Sequence, residues 1–142
     1  MNIKTARFGD IEIDNNRIIH FPEGVLGFPE QKDYTLLEHK PGSPFFWLQS
    51  TTTPELAFVI TDPFLVKHDF LENLTHDEKA FFIDKNGEEL ITYALVSIPH
   101  GDVENMTVNL MGPLVINTVS KIGKQVILAN SNYNHQHPMK LN

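Results

Sequence analysis

Between Pro44 and Phe64 the chain reads Pro-Phe-Phe-Trp-Leu-Gln-Ser-Thr-Thr-Thr-Pro-Glu-Leu-Ala-Phe-Val-Ile-Thr-Asp-Pro-Phe, and this stretch limits the fold more than any other. It holds the only tryptophan and four of the ten phenylalanines, with Glu55 the single charge between Pro44 and Thr61. Phe45 to Gln49 and Leu56 to Ile60 are apolar runs, separated by turn-forming residues that Pro54 closes. Runs of this length bounded by Pro and Ser/Thr clusters read as paired antiparallel strands. Neither run alternates strictly with polar residues, so both faces of the hairpin are expected to be covered, at least in part.

The rest of the chain repeats that vocabulary. Ile3 to Phe8 and Ile11 to Ile13 flank Gly9-Asp10, and Asn15-Asn16 separates them from Ile18 to Phe21. These are two tight-turn signals, predicting a three-strand meander. Phe21 to Glu30 has two glycines and two prolines among apolar residues, which predicts an ordered loop folded onto the sheet or barrel. Gly24-x-x-Gly27 lacks the Gly-Lys-Ser/Thr of a phosphate loop. Further strands are expected at Tyr34 to Glu38, Leu90 to Ile98, the alternating Met106 to Leu110, Leu114 to Val119 and Gln125 to Ala129, with turns at Asn86-Gly87 and Ile122-Gly123. Pro113 cannot donate to a ladder and belongs at a strand start, bulge or edge. Thr75-His76-Asp77-Glu78 has the form of a capping box and predicts one short helix through about Phe82. The polar tail from Asn130 is expected to be partly loose. The pattern is one mainly β domain over residues 1–142, of the sandwich or barrel kind.

Charge narrows the function classes. Asp62 to Glu104 carries ten acids against three bases, which accounts for the whole net charge of −7; from Asn105 onward there is no acid. Such a field disfavours direct nucleic-acid contact and suits a basic protein partner, although an acidic surface also simply serves solubility. No run approaches the roughly 20 apolar residues of a membrane span, and Met1 to Gly9 has no signal-peptide pattern. The absence of cysteine excludes disulfides and thiolate metal sites and is compatible with a reducing cytoplasm.

Catalytic patterns are lacking. There is no Gly-x-Ser-x-Gly elbow and no basic patch interleaved with aromatics. His135-x-His137 is the best metal-like pair, but it lies in the polar tail without a third ligand. No cofactor, no metal and no enzymatic activity are expected.

Four segments carry a resemblance that chemistry alone does not supply. They are Phe21-Pro22-Glu23-Gly24-Val25-Leu26-Gly27-Phe28, Pro44 to Ser50, Leu56 to Ile60 with Asp62-Pro63-Phe64, and Asn109 to Asn117. Gly123 to Leu128 and His137-Pro138 extend the pattern. Together, in this order, they resemble the bacterial flagellar assembly factor FliW family. Val25-Leu26 departs from the Leu-Pro of many members, which bears on loop stiffness.

The resemblance implies a small antiparallel β-barrel-like domain in the cytoplasm that is not an enzyme. It implies two alternative partners, flagellin and the RNA-binding translational repressor CsrA. By binding CsrA away from its RNA-contacting surface, such a protein relieves repression of flagellin mRNA translation. On this reading Asp69, Glu72, Asp77, Glu78 and Glu104 are the expected CsrA-facing acids, and Glu72 and Glu78 the pair whose reversal to Lys would restore RNA binding. Val25, Leu26, Phe28, Phe64 and Leu65 are expected either to face a flagellin helix or to cap the barrel's open end. Gly24, Gly27, Trp47, Gln49, Asn109, Pro113 and Asn117 read as structural members of the motifs. Two alternatives stand beside it: a β-barrel adaptor for a non-flagellar partner, and a metal- or small-ligand-dependent enzyme using the histidines.

Overall fold

The computed structural model describes residues 1–72, 74–83, 89–129 and 131–139, with His100 described by its backbone alone. Strands β1 (Asn2–Thr5) and β2 (Gly9–Glu12) form a separate two-stranded hairpin. Strands β3 (Ile18–His20), β4 (Asp33–Glu38), β5 (Phe45–Ser50), β6 (Ala57–Thr61) and β7 (Leu90–Ser97) follow as an antiparallel series. After β8 (Thr107–Val108) come β9 (Leu114–Asn117) and β10 (Ile122–Gln125), and β11 (His137–Pro138) ends the order. β9 pairs with β7 and β10, and β10 pairs in parallel with β3. These pairings close a seven-stranded mixed barrel, β7-β6-β5-β4-β3-β10-β9, with no free edge around the ring.

The period-two alternation of the strands divides the apolar residues between two cores. Inward-facing Ile19, Tyr34, Leu48, Ile60, Leu114 and Ile116 fill the barrel. Outward-facing Ala94 of β7 and Val115 of β9 instead meet Phe70, Leu74, Met106, Leu110 and Leu128, an outer core on the barrel wall. The aromatic hairpin β5–β6 shows why it lacks polar alternation. Phe46 and Leu48 face the barrel, while the Arg7 guanidinium lies 4.0 Å from the Trp47 ring centre on the other face. Gln49 is fully buried, and its amide donates to the carbonyls of Ser50, Thr53, Pro54 and Leu56, pinning the connecting loop.

A short helix, α1 (His76–Lys79), sits on the segment that covers the outer core. Thr75 caps it: its hydroxyl accepts from the Glu78 N–H at 3.1 Å, and the Thr75 N–H donates back to Glu78 Oε1 at 3.2 Å. A single 3-10 turn, Ala80–Phe82, continues it.

Several expectations change. The first hairpin turns at Ala6 to Phe8, so Gly9 begins β2 rather than forming the turn. The meander does not form, because β3 pairs with β4 and β10 and not with β2. Asn15–Arg17 is a 3-10 turn. Met106 to Leu110 contains only the two-residue β8. Ile122-Gly123 begins β10 instead of turning, and the turn lies at Thr118 to Lys121. Gly123 suits the strand because a Cβ there would stand 2.5 Å from the buried Phe21 ring. Gln125 to Ala129 is not a strand beyond Gln125, although Val126 and Leu128 donate to Pro113 and Met111. The tail is held through Met139: Tyr133 stacks on Phe70 and donates its hydroxyl to the Phe70 carbonyl, and Met139 is buried. The Asn86-Gly87 turn lies outside the described residues.

Candidate functional site

Neighbouring strands of an antiparallel series run in opposite directions, so β3 and β6 finish at opposite ends of the barrel. At the end reached by β3 the loop 21–30 folds inward as a plug. Val25 and Phe28 form an isolated bridge, the Phe28 ring packs against Phe58 edge-on, and Phe21 packs against Tyr34. Gly24 permits this: its φ is +71°, and a Cβ would fall 2.4 Å from the Phe28 carbonyl oxygen.

At the other end, reached by β4 and β6, the barrel stays open over a cavity of about 310 Å3. Its walls are Ile19, Leu36, Phe46, Ile91, Tyr93 and Ile116. Its rim carries Arg17, Lys121, Thr118 and Glu38. Burial, and secondarily the Asp62 carboxylate, push the Tyr93 phenol above its ordinary pKa, so it stays protonated at neutral pH.

The acids expected on the partner-facing surface do not share one environment. Glu72, Asp77 and Glu104 are exposed; Asp69 is partly buried and pairs with Lys67 at 3.0 Å. All four lie within three residues along the chain of Phe70, Leu74 or Met106, which belong to the outer core. Glu78 does not belong with them. It is 5% exposed because the capping box turns its carboxylate back onto Thr75. Asp84 and Glu88 lie outside the described residues.

The apolar candidates also separate. Val25 is 2% exposed and is part of the barrel core, which removes it from any docking surface. Leu26 and Phe28 are exposed at the plugged end. Phe64 and Leu65, also exposed, follow β6 at the mouth end, so the structure does not bring these two pairs into one groove. Leu26 instead lies beside Ile127, its N–H donating to Gln125 Oε1 at 2.7 Å, with both side chains lining one shallow depression.

The motif residues hold backbone. The Asn109 carboxamide accepts from the N–H groups of Met111 and Gly112, and Asn117 does the same for Val119 and Ser120. Pro113 is buried just before β9, where no ladder donor is required of it. Gly27 takes a φ of +85° in the plug. Among the described residues, no three His, Asp or Glu side chains are grouped to hold a metal. Among them also, no helix is long and apolar enough to cross a membrane.

Both the sequence and the fold match a known family. The family model described as "FliW protein" matches residues 2–139. The chain belongs to the FliW family. It is 38% identical over 139 residues to the flagellar assembly factor FliW of Natranaerobius thermophilus, covering 98% of this chain and 92% of that protein. With the factor of the same name from Geobacter sulfurreducens the identity is 39% over 138 residues, covering 97% and 86%. A crystal structure of the flagellar assembly factor FliW superposes with a TM-score of 0.83 at 34% identity, over 99% of this chain and 98% of that one. The mouth residues Arg17, Glu38, Tyr93 and Lys121 escaped sequence reasoning. They lie far apart along the chain, and only ring closure assembles them.

Proposed function

We propose that this protein is a flagellar assembly factor acting in the cytoplasm by binding, without catalysis. Its partners on this reading are flagellin and, alternatively, CsrA, whose repression of flagellin mRNA translation it relieves non-competitively. Family membership supports the flagellar role. The exposed acids Glu72, Asp77 and Glu104 on the outer-core segment support the electrostatic half of the mechanism. An acidic body docked beside a basic RNA site lowers the local positive potential, and RNA affinity depends steeply on phosphate neutralisation. Leu26 with Ile127 offers the apolar contact that an amphipathic flagellin helix needs.

The test replaces the buried Glu78 by its exposed neighbour. Glu72→Lys/Asp77→Lys is expected to keep its fold and to leave CsrA able to bind RNA in its presence. Antagonism unchanged with CsrA still bound would remove the electrostatic account. Crosslinking the purified protein first to flagellin and then to CsrA reads the two surfaces; failure to bind either one overturns the reading.

A further inference from the structure

We infer that the open barrel mouth is a binding site for a small amphipathic monocarboxylate, apolar body inward and carboxylate at the rim. At about 310 Å3 the cavity sits at the lower limit of the roughly 300–1,000 Å3 typical of small-ligand sites, which suits a short ligand. Its depth is hydrocarbon and aromatic: Leu36, Phe46 and Ile91 remain only partly buried there, so apolar surface is available for a guest to cover.

The rim selects the head group. Arg17 and Lys121 both line the cavity, on either side of the β3–β10 pairing, in a protein whose overall charge is −7. Two cations retained at one opening of an acidic molecule favour an anion in that place. Glu38 on the same rim, and the Asp62 carboxylate that acts on Tyr93 of the wall, oppose a second negative charge, so the fitting head carries one. Lys121 is also the only non-glycine residue with positive φ among the described residues, at 61°. That conformation is strained for a side chain bearing a Cβ, and here it carries an ammonium group at a cavity mouth. The site is separate from the acids and from the Leu26–Ile127 depression invoked for protein partners, and the inference does not rest on them.

Octanoate, octanol and octylamine share a tail and differ in the head, so they separate the two halves of the inference. Titration of the protein, followed through the methyl resonances of Ile19, Leu36, Ile91 and Ile116, is expected to saturate with octanoate. Octylamine is expected to bind at least about tenfold more weakly, because the charge-assisted contacts are lost or repulsive. Arg17→Gln/Lys121→Gln, at the rim and outside the apolar wall, should erase that preference while the melting temperature stays near that of the parent. Ile91→Trp should block all three probes. Absent methyl shifts, equal shifts from the three probes, or a preference that survives Arg17→Gln/Lys121→Gln would each overturn it.

Discussion

At the plugged end of the barrel Phe21 and Tyr34 are wholly buried, under a loop that glycine geometry presses inward. At the mouth Leu36, Phe46 and Ile91 stay only partly buried around a cavity of about 310 Å3. Both ends belong to the same ring of strands and the same apolar interior. The difference lies in the connections. The twelve residues between β3 and β4, rich in glycine and proline, fold back over their end, whereas at the mouth the four-residue turn Thr118 to Lys121 only bridges β9 to β10 and the β6–β7 connection carries Phe70 and Leu74 onto the outer core. Closure of a barrel thus leaves each opening to be finished locally, and an end without a plug keeps apolar surface within reach of a guest.

Truncation at the two ends should separate them most. Phe21→Ala, beneath the plug, is expected to lower stability by about 3–5 kcal/mol in urea unfolding, because nothing can collapse into the space. Leu36→Ala, facing the cavity, should lower it by less than about 2 kcal/mol, since its side chain is only partly buried. Equal losses would erase the distinction.

Gly24→Ala probes how the plug is held. Its positive φ, and the 2.4 Å at which an added Cβ would meet the Phe28 carbonyl oxygen, predict a loss of about 2–3 kcal/mol. Faster amide exchange should appear in the 21–30 loop and not at the mouth.

Tyr34 gives a smaller and pH-dependent signal. Its hydroxyl is buried with no hydrogen-bond partner among the described residues, and burial pushes its pKa up to about 12. Folding therefore favours the protonated phenol. That share of stability is fully present below the ordinary value near 10 and is lost as pH rises through about 12. Tyr34→Phe should gain about 1 kcal/mol at neutral pH and lose less on alkaline titration.

The smallest change is expected from Lys121→Gly. Release of left-handed strain and the added freedom of the unfolded glycine oppose each other, each on the order of 1 kcal/mol, leaving urea stability nearly unchanged. A large gain would mean that the mouth stores more strain than this geometry implies.

Much of the fold was legible because local rules suffice for it. The Pro44–Phe64 hairpin, the Thr75 capping box and the ordered Phe21–Glu30 loop each rest on residues close together in the chain. The three-strand meander failed where a local turn signal competed with a pairing partner a hundred residues away, since Ile122 and not β2 meets His20. Glu78 carried both signals at once: its charge suggested surface, while its capping role buried it.

The sequence by itself determined the class of fold, the family and the concentration of acids between Asp62 and Glu104, because alternation, turn chemistry and ordered motifs are written along the chain. Tertiary structure alone decided which apolar residues fill the barrel and which cover its wall. It alone decided that Leu26 and Leu65 stand at opposite ends, and that Arg17, Glu38 and Lys121 share one opening. The physical reason is ring closure: a parallel contact between β3 and β10 joins segments that no local interaction couples, and side chains from distant strands become neighbours only there.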